Sequence, residues 1–150
     1  MSSLYEKRPV SAIVPETAPT ATAAESAELD IANESVVVLH LTYEADGVGK
    51  TLRLYPEVRL PVGGTTVWVP ALSASLDVSG ATVDAEGYLP LPGASPVLEI
   101  AGIDGVEVLA TLHIPVPTGD RFRVRYLEDG YAAPNPATLT VFAAAARGAS

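Results

Sequence analysis

TLRLYPEVRL (residues 51–60) sets Leu52, Leu54, Val58 and Leu60 on one side of an extended chain and Arg53, Tyr55, Glu57 and Arg59 on the other. Successive side chains of a strand point to opposite faces of a sheet, so this period of two reads as a half-buried β-strand. RFRVRYL (121–127) repeats the pattern, with Phe122, Val124 and Tyr126 inward and Arg121, Arg123 and Arg125 outward. Further short apolar or alternating runs are VVVLHLTY (36–43), TTVWVPALSASL (65–76), GYLPL (87–91), PVLEIAG (96–102), VEVLATLHI (106–114) and ATLTVFAAA (137–145). Together they predict a mainly-β domain of about eight antiparallel strands: a β-sandwich, jelly roll or barrel. Asp46-Gly47, Glu86-Gly87, Asp104-Gly105 and Asp129-Gly130 stand between apolar runs and read as turns. Pro56, Pro70 and Pro90 fall inside runs, which predicts edge strands or bulges there, because proline cannot donate to a ladder.

Composition narrows the function classes. The 150 residues carry 18 Asp+Glu against 9 Lys+Arg, a formal charge of −9, with no cysteine. The absence of Cys excludes a disulfide scaffold, thiolate zinc sites and a cysteine nucleophile. The acidic balance argues against nucleic-acid binding, which needs clustered Lys/Arg to neutralise phosphates. No apolar run approaches the ~20 residues of a spanning helix, and MSSLYEKRPVSAIVPE lacks the apolar centre of a secretion signal, so no membrane partner is expected. Gln is absent, Asn33 and Asn135 are the only asparagines, and prolines number 13. That fits either heat adaptation or a GC-rich codon usage.

Chemical motifs are weak. EADGVGKT (44–51) ends like a phosphate-binding loop, yet Glu44 replaces the first glycine and the following residues alternate as a strand instead of opening a helix. The two histidines, His40 and His113, lie inside strands, and neither has a nucleophile-elbow sequence beside it. Asp84 with Glu86, and Glu128 with Asp129, are the nearest approach to a calcium loop and fall short of its ligand density. No catalytic, cofactor-binding or metal-binding residues are therefore expected. Trp68 is read as core in preference to an exposed sugar platform.

Residues 1–35 differ from the remainder. SAIVPETAPTATAAESAELD has no aromatic residue and is rich in Ala, Thr, Pro and Glu. Thr22 or Ser26 offers a cap for a short helix, but the apolar stripe is poor. Such a segment cannot bury enough apolar surface to order itself alone. The expected division is an extended N-terminal arm (1–35) and a β domain (36–150), with the arm ordering only against another chain. Removing residues 1–34 is then expected to leave the β domain folded. The outward arginines admit two accounts: pairing with Glu57, Glu99 or Glu107 across strands, or reception of carboxylates from a neighbouring chain.

SSLYEKRPVSAIVPETAPTATAAESAELD followed by a strand-dense remainder resembles, in architecture and over most of the chain, the head decoration (cement) proteins of tailed bacteriophages. No diagnostic motif carries the likeness, and no binding residue of that family maps onto this chain. If the composition reflects heat adaptation, the kin would be decoration proteins of phages infecting thermophiles. The resemblance implies a non-enzymatic virion protein, made in the host cytoplasm and placed on the capsid exterior. Its expected partners are itself, as a homotrimer, and the major capsid protein. Interface candidates are Leu4, Tyr5, Arg8, Val10, Ile13 and Val14 on the arm, with Arg121, Arg123 and Arg125 on the domain. Alternatives are another structural phage component (neck, tail or fibre base) or a ligand- or carbohydrate-binding β module.

Overall fold

The alternating runs build two antiparallel sheets around one core. The structure, a computed structural model, describes residues 10–71, 75–79, 85–87, 97–116 and 118–147, with backbone only for 75–79 and 85–87. Its strands are β1 (Ser11–Thr17), β2 (Ala24–Glu25), β3 (Leu29–Asp30), β4 (Val36–Glu44), β5 (Thr51–Val62), β6 (Thr65–Pro70), β7 (Ser75–Ser79), β8 (Ala85–Gly87), β9 (Leu98–Ala101), β10 (Glu107–Pro115), β11 (Arg121–Asp129) and β12 (Thr138–Ala146). There is no helix among the described residues. The first sheet has the order β1-β12-β4-β10-β7; the second runs β2-β11-β5-β9-β8, with β3 also on β11 and β6 also on β5.

Period two fixes the packing. Leu39, Leu112, Ile114 and Leu139 from the first sheet meet Leu52, Leu54, Leu98, Ile100 and Phe122 from the second, all essentially out of solvent. Each such side chain contributes about 1.5–3 kcal/mol through burial. The mainly-β, sandwich-like fold is therefore the one the alternation predicts.

Several local expectations change. TTVWVPALSASL is not one strand: β6 ends at Pro70 in the second sheet, and β7 starts at Ser75 in the first. Glu86-Gly87 belongs to β8, paired with β9, and does not form a turn. GYLPL, apart from Gly87, and Pro90 lie outside the described residues. Pro56 sits inside β5, flanked by β11 on one side, which the edge expectation did not foresee. Its carbonyl accepts from the Ala71 N–H at 2.9 Å, so its nitrogen faces the flank away from β11. On that flank β9 pairs residues 51–54 and β6 pairs 57–62, and Pro56 falls between them opposite Ala71, where the missing N–H costs only the return bond at the end of the β6 ladder.

The largest correction concerns the arm. β1 pairs with β12, and residues 20–31 run antiparallel along β11 from Glu128 to Asp120. The Glu128 N–H donates to Thr20 O at 2.8 Å, Ser26 N–H to Val124 O at 2.8 Å, and Ile31 N–H to Asp120 O at 3.1 Å. Ile13 and Val14 are each 2% exposed and Ile31 is 1% exposed, all within the chain's own core. The β-structured body therefore begins by Ser11, and a boundary at residue 35 does not describe it. The segment builds no core of its own. It completes one that two sheets already supply, and it covers edge strands β12 and β11 on one flank. Adjacent Ile13 and Val14 both turn inward because β1 carries register shifts between Ala12 and Val14 and between Val14 and Thr17.

Candidate functional site

Two broad faces remain, and their chemistry differs. On the outer face of the second sheet, β11 places Arg123 in register with Glu57 and Arg125 in register with Tyr55. Arg123 Nε donates to Glu57 Oε1 at 2.9 Å, and Arg125 Nε donates to Oε2 at 3.2 Å. Arg123 Nη1 also lies 3.2 Å from Glu25 Oε2 on β2. A single carboxylate thus separates two guanidinium groups that would otherwise repel each other. Arg53 bridges Glu99 at 3.4 Å and Asp129 at 3.3 Å. Arg59 grips Asp120 with two bonds, at 3.0 and 2.7 Å, and the guanidinium holds that carboxyl below the usual range.

These contacts favour the first account of the arginines. Glu57, from the same chain, satisfies Arg123 and Arg125, whereas Glu99 turns to Arg53 and Glu107 lies on the other sheet. A carboxylate of the acidic segment does reach Arg123, as the second account supposed, but Glu25 comes from the chain itself. Arg121 stands in register with Arg59 and Asp30. Of the arm candidates, Ile13 and Val14 are core residues and do not face a partner. Val10 is 59% exposed, and Leu4, Tyr5 and Arg8 lie outside the described residues.

Trp68 also departs from expectation. It is half-buried on β6, outside the core, with the Arg123 guanidinium 4.0 Å from its ring centroid. That cation–π contact covers one face of the ring.

On the first sheet, β1, β4, β10 and β12 carry no arginine or lysine. Val38, His40 and Thr42 of β4 lie between Thr140, Phe142 and Ala144 of β12 and Leu109, Thr111 and His113 of β10. Phe142 and Leu109 are each 42% exposed. His40 Nδ1 and Thr111 Oγ1 are 3.0 Å apart, so the polar centre of the face bonds within itself. Both histidines sit on this open sheet face. The loop from Glu44 to Thr51 joins two strands, and Lys50 is buried at its base, unlike a lysine that reaches for phosphate.

One buried pair escaped the sequence reading. Glu128 was placed among the turn acids, but it is 0% exposed and accepts the Tyr43 hydroxyl on Oε2 at 2.5 Å. Among the described residues its Oε1 has no hydrogen-bond partner. Burial first, then the bond to Glu128 and its charge, push the Tyr43 hydroxyl far above its ordinary value. Continuing the inward series Phe122, Val124, Tyr126 by two more residues reaches Glu128, which was the available signal. Among the described residues no group of three or more His, Asp or Glu is placed to hold a metal ion. No protein-family model, curated protein or solved structure matches the chain.

Proposed function

We propose that this chain is a structural protein of a multi-copy assembly, of the kind that decorates the outside of a phage capsid, and that it acts by burying surface without catalysing a reaction. The observation that carries the reading is the outer face of the first sheet. On a chain of charge −9, a surface centred on Phe142, Leu109, Val38 and the hydrogen-bonded His40–Thr111 pair is free of Asp, Glu, Lys and Arg over most of β4, β10 and β12. Removal of charge from a broad surface suits protein docking, where cores of interfaces are depleted of Asp, Glu and Lys.

The clamp changes accordingly. Residues 11–34 are committed to the chain's own sheets, so an attaching tail is confined to residues 1–10, with Leu4, Tyr5, Arg8 and exposed Val10 as its contact residues. The major capsid protein is the intended surface. Arg123 over Trp68 speaks against a carbohydrate module.

The test is co-sedimentation of the purified chain with particles stripped of it. Saturable binding at fixed stoichiometry, weakened by removing residues 1–9, is expected. A chain that stays in the supernatant at every particle concentration would overturn the reading.

A further inference from the structure

We infer that the outer face of the first sheet is a self-association surface on which a second copy of this chain packs, sheet against sheet, about a twofold axis. The inference rests on reading that face as a protein-docking surface, and it names the occupant.

Charge selects the occupant. Two copies of a chain with 18 carboxylates and 9 cations repel across most orientations. They can approach closely only through a face that adds no negative charge at its centre. On β12, β4 and β10 the outward carboxylates are Glu44 and Glu107, which stand in register with each other at one end of the face. At the opposite edge Asp77 of β7 holds the register position beside Thr111. Elsewhere on β12, β4 and β10 no Asp, Glu, Lys or Arg faces outward.

Desolvation is cheap at the centre. His40 Nδ1 and Thr111 Oγ1 already bond to each other, so covering them costs neither of those atoms its partner. Area also fits. The five strands of the sheet, three of nine residues flanked by one of seven and one of five, about 4.8 Å apart at about 3.4 Å per residue, give a projected footprint on the order of 600 Å². Side-chain relief brings the accessible area toward the roughly 800 Å² per partner of a stable complex.

Shape completes the argument. Phe142 lies on β12 and Leu109 on β10, on opposite sides of β4. A twofold axis along β4 sets β12 of one copy over β10 of the other, so each Phe142 meets the Leu109 strand of its mate. At that level each Phe142 stands opposite Thr111 of its mate and reaches Leu109, two residues along the same strand, diagonally, in the isologous arrangement of a closed dimer. A threefold ring, as the resemblance implied, would need two different complementary patches per chain.

The test is the mass of the full-length purified chain by light scattering and sedimentation over about 1–100 μM, the range in which ordinary dimers populate. Twice the 15.5 kDa chain mass is expected. Phe142→Glu and Leu109→Glu each place two new charges in the contact, and each is expected to raise the dimer dissociation constant at least about tenfold. Because both positions are exposed, circular dichroism should show native folding in at least one. Val48→Glu, at a position 85% exposed in the loop after β4, is expected to leave the dimer intact. A monomeric or trimeric parent, or a dimer unmoved by both face variants, overturns the inference. A monomer that still co-sediments with particles sinks only this inference. A face-dependent dimer that ignores particles upholds it and sinks only the capsid reading.

Discussion

Ile13→Ala is expected to destabilise the protein by about 2–5 kcal/mol, the usual loss when a buried isoleucine is cut back and leaves a cavity. Ile13 is 2% exposed on a strand paired to β12, and its carbonyl accepts from the Ala27 N–H at 2.8 Å, tying β1 to the segment on the other sheet. Domains of this size hold about 5–15 kcal/mol in total, so the loss is a large fraction of what is available. Removing residues 1–34 adds Val14 and Ile31, each worth about 1.5–3 kcal/mol when buried. The truncation also removes both the segment's ladder hydrogen bonds and its backbone ordering cost, which oppose each other, so its net change is not a sum of side-chain terms. The point variant is therefore the cleaner probe, and the truncation is expected to unfold or aggregate through the bared edges of β11 and β12. Urea denaturation followed by far-UV circular dichroism, with the slope checked for constancy, reads both; removing residues 1–9 alone should leave the midpoint in place. An Ile13→Ala midpoint corresponding to a loss under about 0.5 kcal/mol, as at an exposed site, would refute the placement of this segment in the core.

Three further outcomes follow from named contacts. Tyr43 holds its proton more tightly folded than unfolded, against an ordinary value of 10.0, so its contribution is complete below pH 10 and falls as pH rises above it, by up to about 1.4 kcal/mol per unit. Tyr43→Phe should flatten that alkaline slope in urea midpoints taken between pH 8 and 11, while costing about 1–3 kcal/mol at neutral pH by stranding Glu128. Glu57→Ala leaves Arg123 and Arg125 facing each other and should cost about 1.5–3 kcal/mol, with a change in Trp68 fluorescence as Arg123 leaves the ring. Gly130→Ala should destabilise more than Gly63→Ala in thermal melts: both have positive φ, but only at Gly130 would a Cβ meet a backbone oxygen, that of Gly49, at 2.3 Å.

The alternation that revealed the long strands failed at the N-terminus for a definable reason. TLRLYPEVRL and RFRVRYL each line half a core, so their apolar side chains recur often enough to show a period. β1, β2 and β3 are edge additions that bury only a few side chains, and the bulges of β1 set Ile13 and Val14 side by side. A segment of that kind looks disordered by composition because the sheets it joins supply the rest of the core. The arginine face was half legible. Spacing two placed Arg121, Arg123 and Arg125 on one side, but choosing Glu57 from Glu57, Glu99 and Glu107 needs the strand order, which local sequence does not contain. Trp68 fell between the two readings for the same reason, since only the β5–β6 pairing brings it under Arg123.

The placement of the N-terminal segment also decides how this chain can associate. A free β11 or β12 edge would offer unpaired N–H and C=O groups to another chain, and strand addition would be the natural route to assembly. Residues 11–31 occupy both edges, and the outermost strand, β1, interrupts its own ladder with two register shifts and Pro15. Strand addition on that flank is blunted by the same residues that close the core. On this flank association is left to side chains on a face. Of the two faces, the second sheet already spends its arginines on Glu57, Glu25, Glu99, Asp120 and Asp129, so covering it would desolvate paired charges for little return. The first sheet asks for no such desolvation, which is why the docking surface is assigned there, away from the arginine ladder that the spacing of RFRVRYL first brought forward.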